Sequence, residues 1–231
     1  MKCGIFVAQN RINMEYQDWG LIPYKAAWDR QTEIFNAKIE AKNNAQFISD
    51  LVVFCEHPHV YTLGKSGAES NLLVGNQFLL DKGVEFFHTD RGGDITYHGP
   101  GQIVCYPIFD LEHFGIGLRR YLFLLEEAVI LFLADYGILG ERLDGATGVW
   151  IDAQTAGKAR KICAMGVRSS KFVTMHGLAL NINTDLDFYR LINPCGFSDK
   201  GVTSLSKETS IQYDMLTCRN KLYEKMVQLF K

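Results

Sequence analysis

Apolar side chains recur along this chain in two rhythms, one of three and four residues and one of two. The first rhythm appears over residues 23–42, where Tyr24, Ala27, Trp28, Ile34, Phe35 and Ile39 share a face, and predicts an amphipathic helix opening after Pro23. It returns from about Gly117 to Tyr136 in Leu118, Tyr121, Leu122, Leu125, Val129 and Phe132, a second core-facing helix that Gly137 would end. A last helix, roughly Ile211–Phe230, would turn Met215, Leu222, Met226 and Leu229 inward. Runs rich in β-branched and aromatic residues predict strands at Leu51–Cys55, Val84–His88, Ile103–Phe109, Gly148–Asp152, Lys161–Arg168 and Phe172–Ile182. Asp185–Ile192 reads as a short helix. No internal repeat, low-complexity tract or linker interrupts the series. The pattern predicts one α/β (α+β) domain over residues 1–231, with a mixed, largely antiparallel sheet flanked by helices.

Composition narrows the function classes. With 231 residues, 47% of them apolar and 22% charged, the chain can close a sizeable core. A net charge of −2 gives no reason to expect a nucleic-acid partner, whose phosphates call for a basic face. The apolar run in Met1–Gln9 is too short for a signal-peptide core and no small-residue cleavage site follows it, so export is not expected. The longest uninterrupted apolar stretch, Ala128–Ala134, falls well short of the ~20 residues that cross a bilayer, so no membrane association is expected. The expectation is a soluble, cytoplasmic protein.

Six cysteines are scattered without a Cys-x-x-Cys pair, which suits a reducing compartment. Cys55, Cys105, Cys163 and Cys218 sit in or beside apolar runs and read as packing residues. Cys195 differs, because Asn193-Pro194-Cys195-Gly196 places it in a turn. His57-Pro58-His59 lacks nearby cysteines or paired carboxylates and reads as a turn, so no metal is expected. Neither a phosphate-cradling loop nor a dinucleotide fingerprint is present, and no cofactor is expected.

The densest chemistry lies in Arg91-Gly-Gly-Asp-Ile-Thr-Tyr-His-Gly-Pro-Gly-Gln102. Its glycines would let a ligand approach main-chain N–H groups, while Arg91, Thr96, Tyr97 and His98 bring a charge, a hydroxyl, an aromatic plate and a titratable ring. Read alone, the stretch is either a binding loop or a glycine-rich turn between strands. Together with Gln102 and Tyr106 it resembles the signature of the lipoyl(octanoyl) transferases, and segments from Tyr24 to Gly196 match that family in order. One departure is His59, where the family's Glu-His-Pro segment is usually followed by proline.

That resemblance implies a biotin protein ligase and lipoate ligase-like fold. The implied activity is octanoyl transfer in lipoate biosynthesis, from octanoyl-acyl carrier protein to the lysine of lipoyl domains of 2-oxoacid dehydrogenase complexes and of the glycine cleavage H protein. It further implies that Cys195 carries the acyl group as a thioester and that Lys161, from a Lys-Ile-x-x-x-Gly strand, is its base. By residue pattern alone, Cys195 is either a nucleophile or a loop cysteine without consequence, and Lys161 is either a base or a strand-end amine reaching water. On a period of two, Lys161 is expected to share an apolar face with Cys163, Met165 and Val167, which would desolvate its amine. The acyl pocket is implied to be lined by Arg91, Gly92, Gly93, Asp94, Ile95, Thr96, Tyr97 and His98 of the glycine-rich stretch. Two small-residue segments, Ala164-Met165-Gly166 and Gly177-Leu178-Ala179, would join it. A related ATP-using ligase would activate its acid as an adenylate and need no thiol, so Cys195 favours transfer over ligation.

Overall fold

The computed structural model describes residues 14–193 and 200–231; Cys3, Pro194, Cys195 and Gly196 lie outside the described residues. The chain folds around a twisted mixed sheet. Strands β1 (Met14–Leu21), β2 (Asp50–Glu56), β6 (Gln102–Ile108), β10 (Val173–Asn181), β9 (Arg160–Ser170), β8 (Ala146–Ile151) and β7 (Glu141–Leu143) follow one another across it. A short strand, β11 (Gly201–Val202), adds in parallel to β9. β1 likewise runs parallel to β2, and apart from these two pairs the strands of this sheet pair antiparallel. A second, three-stranded sheet holds β4 (Glu85–His88), β3 (Val60–Leu63) and β5 (Ile95–His98).

Helix α1 (Tyr24–Asn43) packs over β10 and β6 on one face of the large sheet. Its buried positions include Gln31 and Lys38 beside Tyr24, Ala27 and Phe35. Both polar groups are used there: Gln31 Oε1 accepts the backbone N–H of His176 at 3.0 Å, and Lys38 Nζ pairs with buried Asp50 at 2.9 Å. The opposite face carries the main core, where α3 (Leu118–Ala134) and α5 (Met215–Leu229) pack on each other and on the sheet through Leu125, Val129, Phe132, Leu222 and Met226. Cys55, Cys105, Cys163 and Cys218 are buried free thiols, as their apolar settings predict. Among the described residues, no helix is long and apolar enough to cross a membrane.

The sheet assignment of the glycine-rich stretch departs from the sequence reading in two ways. The strands on either side of it, β4 and β6, belong to different sheets, so the stretch bridges the two. It is also not a loop throughout, because Ile95–His98 pairs antiparallel with Val60–Leu63 as β5.

Candidate active site

The stretch is fixed to both sheets by backbone and by one guanidinium. Arg91, 7% exposed, donates from Nη2 to Thr62 O at 2.6 Å and to Thr62 Oγ1 at 2.8 Å, tying the glycines to β3. On the other side, Gly92 N–H donates to Val167 O of β9 at 2.9 Å. A Cβ on Gly166 would lie 2.5 Å from Gly92 O, so only glycine allows β9 and the stretch to close on one another.

Between these layers lies a cavity of about 460 Å³. Arg91 to Thr96 and His98 line it from the glycine-rich stretch, Ala164, Met165 and Gly166 from β9, and Gly177, Leu178 and Ala179 from β10. Tyr97 is the member of the expected set that the structure places elsewhere. On β5 it alternates with Thr96 and His98 and turns into a second cluster, stacking on Phe188 with centroids 4.8 Å apart and sharing a 2.7 Å hydrogen bond with His59.

Lys161 lines the cavity, but not in the way a simple alternation predicts. β8 pairs Trp150 with Lys161 and Val149 with Cys163, so Ile162 is the extra residue of a β-bulge. Ile162 and Cys163 both enter the main core, and Lys161 is displaced from their face. The expected apolar face shared with Cys163 is therefore absent. Lys161 is half-buried, its Nζ donates to Thr147 O at 3.2 Å, and it stands 4.6 Å from the centroid of the Trp150 ring.

The inner wall is polar and proton-specific. Gln102 Nε2 donates to Tyr97 O at 3.1 Å and to Asn181 Oδ1 at 2.9 Å, which leaves Gln102 Oε1 to accept from His98 Nδ1 at 2.8 Å. His98 Nδ1 thus carries the proton. Burial, with nearby His57 and Arg91, holds the His98 imidazole well below its ordinary range, so it is neutral. His57 Nδ1 donates to Ile22 O at 2.7 Å and its Nε2 accepts from Tyr106 Oη at 2.7 Å; burial pushes this imidazole down to about 4. His176 Nε2 donates to Asp90 Oδ1 at 2.7 Å, and Arg168 Nη1 holds the other carboxylate oxygen. These bonds, His176's first, keep Asp90 below the usual carboxylate range, while burial keeps His176 below its ordinary value.

Further lining residues carried no sequence signal for this role. Leu118 and Leu122 fit the apolar stripe of α3, yet both line the cavity. Tyr24, Trp150, Asn181 and Tyr189 come from four separate elements and meet only in the fold. His57 and His59 serve hydrogen bonds to Ile22, Tyr106 and Tyr97.

Comparison with known proteins decides the family. The sequence profile of the lipoyl protein ligase A/B catalytic domain matches residues 23–227. An octanoyltransferase of Bacteroides fragilis is 58% identical over 205 residues, covering 89% of this chain and 92% of that protein. Another, from Parabacteroides distasonis, is 52% identical over 218 residues, covering 94% and 99%. The chain belongs to the octanoyltransferases of this family. An octanoyltransferase of this kind is an acyltransferase, and its fold is shared with ligases. A bipartite lipoate protein ligase from Thermoplasma acidophilum superposes with a TM-score of 0.68 at 16% identity, over 94% of this chain and 84% of that one. A biotin protein ligase from Aquifex aeolicus superposes with a TM-score of 0.51 at 10% identity, over 95% and 69%.

Proposed function

We propose that this acyltransferase moves an octanoyl group from octanoyl-acyl carrier protein to the lysine of lipoyl-accepting domains, in lipoate biosynthesis, through a thioester on Cys195. Membership among the octanoyltransferases supports the octanoyl group and the pathway. The observation that carries the relay is the amine of Lys161 at the wall of a cavity lined by Leu118, Leu122, Met165 and Leu178. The chain on both sides of residues 194–199 is tied to that cavity. Asn193 N–H donates to Asn71 O at 2.8 Å, and Asn71 Nδ2 donates to Asp94 Oδ2 at 2.7 Å. Gly201 and Val202 then pair with Arg160 and Lys161.

In the proposed reaction Lys161 takes the Cys195 proton, and the thiolate attacks the donor thioester. A C–S bond to Cys195 forms as the bond to the carrier sulfur breaks, and that sulfur leaves with the proton from Lys161. The acceptor lysine amine then attacks octanoyl-Cys195, a C–N bond replaces the C–S bond, and Lys161 takes the amine proton as the Cys195 thiolate is restored. The glycine-rich backbone of residues 91–99 and 164–166 supplies candidate N–H donors for the developing oxyanion. Arg91, Asp94, Thr96, His98, Ala164, Met165, Gly166, Gly177, Leu178 and Ala179 would enclose the acyl chain, and Cys195 with Lys161 would act on its carbonyl. Residues 1–231 would act as one catalytic unit in the cytoplasm.

A thioester donor is already activated, so transfer needs no adenylate. The test offers the enzyme a lipoyl domain with octanoyl-acyl carrier protein, or with free octanoate plus ATP and Mg²⁺. Amide product from the thioester without nucleotide is expected; product only from octanoate and ATP would replace transfer by ligation.

A further inference from the structure

Trp150 and Lys161 are direct partners across the β8–β9 ladder, and the bulge at Ile162 is what brings them face to face. The neighbours of Trp150 on its strand, Val149 and Ile151, enter the main core. Trp150 turns the other way and packs with Ala153 and Ala159 in a small separate cluster, 2% exposed. Its indole N–H donates to Ala146 O at 2.9 Å, which fixes the plane of the ring. Against that fixed plane stands Lys161 Nζ, 4.6 Å from the centroid, with Thr147 O accepting at 3.2 Å. Gly148, at φ +124, leaves the space beside the lysine stem open: a Cβ there would sit 3.5 Å from Lys161 Cε and 2.4 Å from Cys163 O.

Both the ring face and the carbonyl dipole stabilise a cation and do little for a neutral amine. Other charges face this place from each neighbouring element. From α3, Glu126 accepts the Gly148 N–H at 3.0 Å and is paired with Arg142. Lys200 lines the cavity just before β11. Arg160 is engaged by Glu208 and Asp152. From the glycine-rich stretch Arg91, Asp94 and His98 line the same cavity, and β10 presents His176, which is paired with Asp90.

We propose that Trp150 is a positioning residue that holds Lys161 as an ammonium at the cavity wall, so that the dyad rests as a Cys195 thiolate and a Lys161 cation. This rests on the Cys195–Lys161 relay proposed above. In that resting state the thiol proton already sits on Lys161, and it passes to the carrier sulfur when the donor thioester is cleaved. The indole sets both the place of the proton and the charge felt by the thiolate.

The test is the pH profile of Cys195 alkylation by iodoacetamide, read by intact mass and peptide mapping. It compares the parent with Trp150→Phe, Trp150→Leu, Lys161→Ala and the double variant Lys161→Ala with Trp150→Leu. Trp150→Leu is expected to move the profile to higher pH and slow alkylation near pH 6 about tenfold, with Trp150→Phe between it and the parent. In the Lys161→Ala background, removing Trp150 should change nothing further. A Trp150→Leu profile that coincides with the parent while Lys161→Ala shifts would overturn the role of Trp150 alone, as would an equal shift in both backgrounds. If Lys161→Ala itself left the profile in place, the dyad would fall, and the role of Trp150 with it. Should the leucine variant not fold, the phenylalanine variant decides by the same criteria.

Discussion

Gly166 of β9 and Gly92 of the glycine-rich stretch face one another so closely that a single added methyl on Gly166 would lie 2.5 Å from Gly92 O. Their contact, with the 2.9 Å bond from Gly92 N–H to Val167 O, joins the two walls of the cavity. Gly166→Ala must push the walls apart, at a cost of about 1–3 kcal/mol. The expected outcome is a lowered melting temperature and a loss of acyl transfer of at least about tenfold, since misplaced walls misplace the acyl carbonyl. Thermal unfolding and steady-state kinetics check it; a fully active Gly166→Ala enzyme would show that the contact does not shape the site.

Three buried imidazoles predict the acid limb of stability. His57, His98 and His176 are all held below their ordinary value, chiefly by burial. In the unfolded chain they protonate near pH 6.5, so between about 6.5 and the folded values the unfolded state binds more protons and stability falls as pH falls. His57, pushed down to about 4, accounts for roughly 3 kcal/mol of loss by pH 4. Melting temperatures measured from pH 7 to 4.5 should therefore drop steadily. His57→Gln should flatten the slope, whereas an unchanged parent slope in that variant would contradict the assignment.

Arg160 grips Glu208 through Nε at 2.7 Å and Nη2 at 2.6 Å, and this fork holds the start of β9 to α4 (Leu205–Thr209), the helix that follows β11. Because β11 lies beside Lys161, Glu208→Gln should loosen the wall that carries the amine. The expected cost is about 1 kcal/mol in stability and on the order of tenfold in acylation rate. Single-turnover acylation measured beside chemical denaturation separates the two effects. A rate equal to the parent's would remove the clamp from the account of the site.

Much of the fold was legible because its cores are apolar at regular spacing. α3 and β2 announce themselves in this way, and the short helix expected near Asp185 is present as a 3₁₀ turn, Leu186–Leu191. β1 was not legible, since Met14–Leu21 alternates weakly and gains its place by pairing with β2 at the sheet edge. β5 hid inside the glycines, and β7 is three residues long. The last helix begins at Met215 rather than near Ile211, which is 54% exposed. At the candidate site, residues of the glycine-rich stretch, β9 and β10 line one cavity, and Tyr97 turns away from it. What the period of two could not carry was the bulge, because one extra residue reverses the face of Lys161 relative to Cys163. Leu118 and Leu122 satisfied the helical stripe equally well as core or as cavity lining, and only the fold distinguishes these.

Removing the base should separate chemistry from binding. Lys161→Ala is expected to slow acylation of Cys195 by on the order of 10²–10⁴ while leaving the affinity for the acyl carrier nearly unchanged. Rapid-quench acylation and direct binding measurements check this. Equal losses in both would make Lys161 a docking charge instead of a proton carrier.

The most direct test of the relay is intact mass spectrometry after mixing the enzyme with octanoyl-acyl carrier protein, with no nucleotide or metal present. A Cys195 relay yields a species heavier by one octanoyl group, mapped to Cys195, released by hydroxylamine and absent in Cys195→Ser. An octanoyl adduct that persists in Cys195→Ser, or amide product formed at the parent's rate by that variant, would contradict it.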